Sequence, residues 1–385
     1  MKRIISLLAV MALAGGLLGV PAKAAPTPGG FASDNIEYVN YLPFEVGTAT
    51  GITIAGKYMY LTSWKNVSVY DISDPTNPQV EDIEPFGFWF ENEDTEVTPD
   101  GNNLLFAESL PGDALHVWDV EDKSNIQEVA TLEGAGDHTI SCVLKCKWAY
   151  GSDGVIVDLR NPTKPKLVAG RSDKNNWHAQ IGLKGGGHDV TEFRNGHILV
   201  STISEGFQWV DVTNPAKPKL KARSPHPNPG WLFHSGEWPR NGKDKFLLHQ
   251  GEQNFQAQCD PETNGPFTTW TKSANTFKLV DTYAVTNGTY QDGSPAVNGL
   301  GCSAHWFESH KTFRNGGLVA VGYYEHGTRF LDVASNGKIK EKGWFVPYGG
   351  STSAAYWVPT DKENRIVYAV DYTRGIDILR YTDKF

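Results

Sequence analysis

Histidine, methionine, cysteine and positive charge are all scarce in this chain. Of 385 residues, 11 are His, 3 Met and 4 Cys, and 35 Lys and Arg stand against 44 Asp and Glu. So few basic side chains argue against nucleic acid or an anionic membrane surface as partner, since both demand clustered positive charge. Long apolar runs are lacking too. Past residue 24 nothing approaches the ~20 apolar residues of a membrane span, so no transmembrane segment is expected in the mature chain.

The start of the chain is different. Met1-Lys2-Arg3 supplies a positive end, Ile4 to Val20 is apolar, and Ala22-Lys23-Ala24 has the small-x-small pattern of a cleavage site. Residues 1–24 therefore read as a secretory signal. The expected mature chain, 25–385, would be secreted, periplasmic or held in the cell envelope. Losing Lys2, Arg3 and Lys23 makes a formal net charge of −9 three units more negative. In an exported chain cysteines persist as disulfides, and four of them allow three pairings. Cys142 and Cys146 are close enough to share a hairpin, which leaves Cys259 with Cys302.

Forty Gly, 12 Trp, 15 Tyr and 18 Phe suit many short strands joined by tight turns. A repeat makes this specific. Val67-Ser68-Val69-Tyr70-Asp71-Ile72 is followed by Ser73-Asp74-Pro75-Thr76-Asn77-Pro78. The same strand and proline turn return at 154–165 and 207–218. Weaker copies lie at 115–120, 276–281, 328–333 and 375–379. Alternating apolar residues make half-buried strands, Pro presets φ, and Asp and Asn close turns through the backbone. The chain here resembles the LVIVD-repeat family of exported β-propeller proteins, which implies an all-β propeller. Seven copies predict a single seven-bladed β-propeller. The last repeat has only three strands, and an orphan strand, 36–42, opens the mature chain. Pairing the two would close the ring and remove two exposed edges. Counting strands puts the turns around Asp153, Glu205, His326 and Arg374 on one face, with insertions at 251–275 and 289–301 on that same face.

Four histidines begin successive repeats: His138, His188, His234 and His305. A period of roughly 40–50 residues is one blade, and equivalent residues at blade starts converge on the propeller axis. Converging imidazoles make a transition-metal site, with copper or iron favoured over zinc. The blades outside this group carry Thr50, Thr95 and Ala354 near the equivalent place. Nearby carboxylates Glu96, Asp189, Glu237 and Glu308 are expected to orient the imidazoles or act as acid and base. The architecture looks like the four-histidine iron site of carotenoid-cleaving oxygenases, and is similar in outline to selenium-binding-protein-type thiol oxidases. The expected function is a metal-dependent, oxidoreductase-type enzyme acting on a small organic substrate. The competing expectation is a non-catalytic envelope protein whose loop face binds an extracellular protein or glycan, with a structural metal or none.

Overall fold

The period-two patterns resolve into antiparallel strands, each paired mainly with its neighbour in sequence. The computed structural model describes residues 29–43, 49–87, 92–109, 111–183, 186–253, 259, 264–286 and 301–384. The expected signal segment, 1–24, lies outside them. The first sheet is a meander of Ala49–Ala55, Tyr58–Ser63, Asn66–Asp71 and Gln79–Pro85; the second runs Thr95–Val97, Asn103–Glu108, Ala114–Asp119 and Gln127–Glu133. The third runs Ile140–Val143, Trp148–Gly151, Ile156–Asp158 and Lys166–Ala169.

An eight-stranded sheet follows. One half is the meander Gly187–Arg194, His197–Thr202, Gly206–Asp211 and Lys219–Arg223; the other is Trp231–Glu237, Leu247–Gln253, Phe267–Ser273 and Thr276–Tyr283. The halves meet through a single parallel pair, Arg223 with Thr276. The next sheet holds Phe307–Ser309, Gly317–Gly322, Thr328–Val333 and Ile339–Pro347, with Gly30–Ala32 on its outer edge. The last holds Thr352–Trp357, Ile366–Asp371 and Gly375–Tyr381, and Ile36–Pro43 completes it. Ile36 pairs with Tyr381 and Pro43 with Gly375, so the orphan strand closes the final sheet as its pattern predicts.

The core confirms the ring. Apolar clusters lie between neighbouring meanders: Val69 and Tyr60 pack with Phe106 and Trp118, Leu105 and Val117 with Ala149 and Val157, Phe207 with Trp270. The last cluster joins the ends of the chain, setting Tyr368, Val370 and Ile376 against Ile52, Met59 and Leu61. Each fully buried large side chain is worth about 1.5–3 kcal/mol, and no single meander could bury both its faces alone.

Two expectations change. The copy at 276–281 is the outer strand of its meander, not the third, and the stretch 251–275 is not one insertion. Phe267–Ser273 is a strand, pairing Leu247 with Trp270 and Gln250 with Phe267. Its Thr268-Thr269-Trp270-Thr271 core is too polar to read as a buried strand, yet Thr268 and Thr269 are buried, with hydroxyls donating to the carbonyls of His249 and Gly337 at 2.7 Å. Of the second insertion only Gly301 lies among the described residues.

Candidate metal centre

His188 and His234 lie on the first strands of their meanders, and His138 and His305 two residues before theirs, so the four rings come together where these strands begin. His138 and His188 have ring centroids 4.8 Å apart, His188 and His234 3.8 Å, and His234 and His305 4.2 Å. They gather around a carboxylate that sequence reasoning missed. Glu93 is 5% exposed, and the Nε2 atoms of all four imidazoles surround it. Glu93 Oε2 lies 3.1 Å from His234, 3.5 Å from His138 and 3.9 Å from His188; Oε1 lies 3.2 Å from His305. Tyr372 donates its hydroxyl to Oε1 at 3.2 Å, and Trp306 its indole N–H to Oε2 at 3.3 Å.

Outer contacts aim these rings. His305 donates Nδ1–H to the Ser353 carbonyl at 2.7 Å, which turns its Nε2 toward Glu93. The amide of Gln250 lies on Nδ1 of His234 and reaches the Ser235 hydroxyl at 3.0 Å. Asp137 accepts the backbone N–H of His138 at 2.8 Å and the Ser152 hydroxyl at 2.7 Å, pinning the strand start. Such second contacts are what a ligating imidazole needs to fix its tautomer. The turns at Tyr324 and Tyr372 reach in from the same side: the Tyr324 ring is 4.7 Å from His305, and its hydroxyl bonds Glu252. Both turns thus lie on the side of the ring histidines.

The electrostatics are those of a buried anion in a ring of bases. Burial would raise the Glu93 carboxyl, but the charges of His305, His138 and His234 outweigh it and hold the group well below the usual carboxylate range. Burial pulls His188 and His234 down. Burial also opposes charge on His305, but there Glu93 wins and raises it. Access is one-sided: the side chains of His138 and His188 are 23% and 13% exposed, those of His234 and His305 fully enclosed. Glu93, His188 and His234 can hold a cation together, as can His234, Glu252 and His305; within each group the ligand atoms lie within 4.8 Å of one another.

Three of the carboxylates singled out from sequence bond the backbone of the neighbouring meander. Glu96 accepts the N–H of Cys142 at 3.1 Å, Glu237 that of Ser309 at 2.9 Å, and Glu308 that of Trp357 at 2.7 Å. Each bond ties the first strand of one meander to that of the next, so these three latch the ring. Asp189 accepts the Thr191 hydroxyl at 2.7 Å. Burial raises all four carboxyls, Glu308 to about 8. The missed residue carried a signal. Glu93 precedes Glu96 by three, as His234 precedes Glu237 and His305 precedes Glu308. The position equivalent to the histidines in the second meander is thus Glu93, not Thr95; the earlier alignment slipped by two.

Both disulfides expected from spacing form, Cys142–Cys146 and Cys259–Cys302, with Cα atoms 4.4 and 5.2 Å apart. The first closes a turn whose Leu144, Lys145 and Cys146 all have positive φ, near 57°, 60° and 56°. Left-handed L-residues are costly, so a covalent closure there makes physical sense. His249 is stacked on Phe207 at 4.8 Å and bonded to Ser201 at 2.9 Å, away from the centre. His178 is buried in the short helix Trp177–Ile181.

Comparison with known proteins agrees with this architecture. The LVIVD repeat family matches residues 46–82. No curated protein matches the chain. Among solved structures it is similar to hydrazine synthase from Kuenenia stuttgartiensis, at 14% identity and a TM-score of 0.58, covering 89% of this chain and 99% of that one. It is equally similar to the Cps50 (Swd1) β-propeller domain of Myceliophteria thermophila, at 13% identity and a TM-score of 0.59, covering 88% of this chain and 98% of that one. At such identities the likeness establishes the fold alone, a β-propeller.

Proposed function

We propose that this LVIVD-repeat β-propeller has seven blades and is an exported metalloprotein whose axial centre serves a metal-dependent, oxidoreductase-type reaction on a small organic substrate. The blade count follows if the eight-stranded sheet is two blades touching through Arg223 and Thr276. One observation carries the chemistry: four imidazole Nε2 atoms converge on a single buried carboxylate, with distances of 3.1–3.9 Å. Donor atoms about 2.1 Å from a common ion stand roughly 3–4 Å apart, a spacing that Glu93, His188 and His234 approach, with ligand atoms within 4.8 Å of one another. His138, His188, His234, His305 and Glu93 would be the ligands. Nitrogen donors alone suit copper, iron or zinc; the carboxylate is a harder ligand and favours iron.

A bound ion of this kind would supply Lewis-acid or one-electron chemistry. Tyr372 and Trp306 hold the Glu93 carboxylate in register by donating to its two oxygens. Ser353 keeps the His305 Nε2 directed inward. Substrate would enter over His138 and His188, the exposed side of the ring.

The deciding experiment is elemental analysis and paramagnetic resonance of protein purified from the export compartment, wild type beside His188→Ala/His305→Ala. One iron or copper per chain, lost in the double variant, supports the reading. No metal in either, with thermal stability unmoved by added iron, copper or zinc, overturns it and leaves the binding-protein alternative.

A further inference from the structure

A second cluster of metal-binding chemistry lies outside the axial ring. The Cys259–Cys302 disulfide has an imidazole against it: His326 Nε2 lies 3.2 Å from Cys259 Sγ and 3.1 Å from Cys302 Sγ. All three ligand atoms fall within 4.8 Å of one another. Cys302 is fully enclosed and His326 is 3% exposed, whereas Cys259 is only partly buried. A disulfide that serves only as a staple needs no such neighbour.

We propose that Cys259, Cys302 and His326 form a redox-gated site, closed as the disulfide and, when reduced, a Cys2His site for a borderline-soft divalent cation such as Zn2+. The reductant is a dithiol. One of its thiolates attacks Sγ of Cys259, the less buried cysteine; the Cys259–Cys302 bond breaks, and Cys302 leaves as a thiolate. The proton that the attacking thiol gave up on ionising is taken by His326 Nε2 and returned to the Cys302 thiolate. The second thiol of the reductant then resolves the mixed disulfide, releasing Cys259 as a thiol and the reductant as its own disulfide. Two electrons enter the protein and two protons come with them. The cation then displaces both protons as it takes two thiolates and one imidazole. Sulfur at about 2.3 Å and nitrogen at about 2.0–2.1 Å from Zn2+ set tetrahedral donors roughly 3.3–3.8 Å apart, close to the nitrogen–sulfur distances already present.

The site is wired to the axial ring. Cys302 lies three residues before His305, and the turn that carries His326 also carries Tyr324, whose ring is 4.7 Å from His305. The inference does not rest on metal at Glu93, because its signature is a thiolate one.

The test uses full-length protein with Cys142→Ser/Cys146→Ser, so that only one cysteine pair remains. The protein is reduced anaerobically with a phosphine, desalted and titrated with Co2+, then Zn2+. The reduced protein should show a sulfur-to-cobalt charge-transfer band saturating at one equivalent and bleached by Zn2+, absent from the oxidised protein. His326→Ala should weaken Co2+ binding at least tenfold while keeping the thiol count at two. No thiolate band in the reduced protein, or equal affinity in His326→Ala, overturns the proposal. Loss of the near-ultraviolet circular dichroism on reduction overturns it as well, since the disulfide would then be a staple of the fold.

Discussion

Replacing Glu93 by Gln separates the charge at the axial centre from its shape. Gln keeps the volume and one acceptor oxygen, so either Tyr372 or Trp306 retains a partner and the other faces an amide. The variant loses a charge-assisted contact worth about 1.5–3 kcal/mol and leaves a buried donor unmatched at a further ~1–3 kcal/mol. It also removes the anion that favours the charged form of His305. A loss of about 3 kcal/mol in the metal-free protein is expected, roughly a 150-fold shift in the folding equilibrium. Glu308→Gln is the control. Burial raises that carboxyl to about 8, so it is neutral at pH 7, and its one backbone bond, from Trp357 N–H, survives the substitution. It should cost under about 1 kcal/mol. Urea unfolding of both variants at pH 7, metal removed by chelation, reads the difference directly. Equal midpoints for the two would refute the claim that Glu93 is an anion held by the imidazole ring. Under the metal reading, Glu93→Gln should also weaken iron binding by about tenfold or more in a chelator competition.

Other outcomes follow from the same geometry. Burial holds His178 at about 4, below its ordinary 6.5, so unfolding takes up a proton between those values. Stability is full above pH 6.5 and should fall by up to about 3 kcal/mol toward pH 4, and His178→Gln should flatten that slope in urea melts; an unchanged slope would sink the assignment. Gly187→Ala would place a Cβ 1.9 Å from the Ser152 carbonyl oxygen, beside His188. Overpacking there should cost about 1–3 kcal/mol and reduce metal binding; a variant with wild-type midpoint and metal content would show that the strand start is not held there. A chain beginning after Pro43 lacks the strand that covers Gly375–Tyr381. It should self-associate on size exclusion through that exposed edge, and a stable monomer would refute the closure argument.

Much of the fold was legible because its determinants are local. The Asp-Pro turns at 74–75 and the alternating strands before them announce the repeat without any tertiary knowledge, and the orphan strand 36–42 announced its partner by being unpaired. The outer half of the Trp231–Tyr283 meander was not legible. Its Thr-rich strand is stabilised by partners on other strands, such as the Gly337 carbonyl that Thr269 reaches. The four histidines were visible as a recurrence, and the cysteine pairings as a spacing. Glu237 and Glu308 each follow a ring histidine by three positions, yet their carboxylates bond the backbone of the next meander. On a strand, a residue three positions on lies about 10 Å further along, at the next blade's backbone rather than at the axis.

What the sequence by itself determined was the period and the recurrence of four histidines whose rings come together. Those are consequences of turn chemistry and of side-chain alternation, both set within a few residues. Only the tertiary structure decided that Glu93 is the fifth member of that ring, that Tyr372 and Trp306 hold it, and that His326 rests on a disulfide. Each of these contacts joins segments 24 to 279 residues apart. Closing the ring brings them together, and no local pattern encodes the angle at which one blade meets the next.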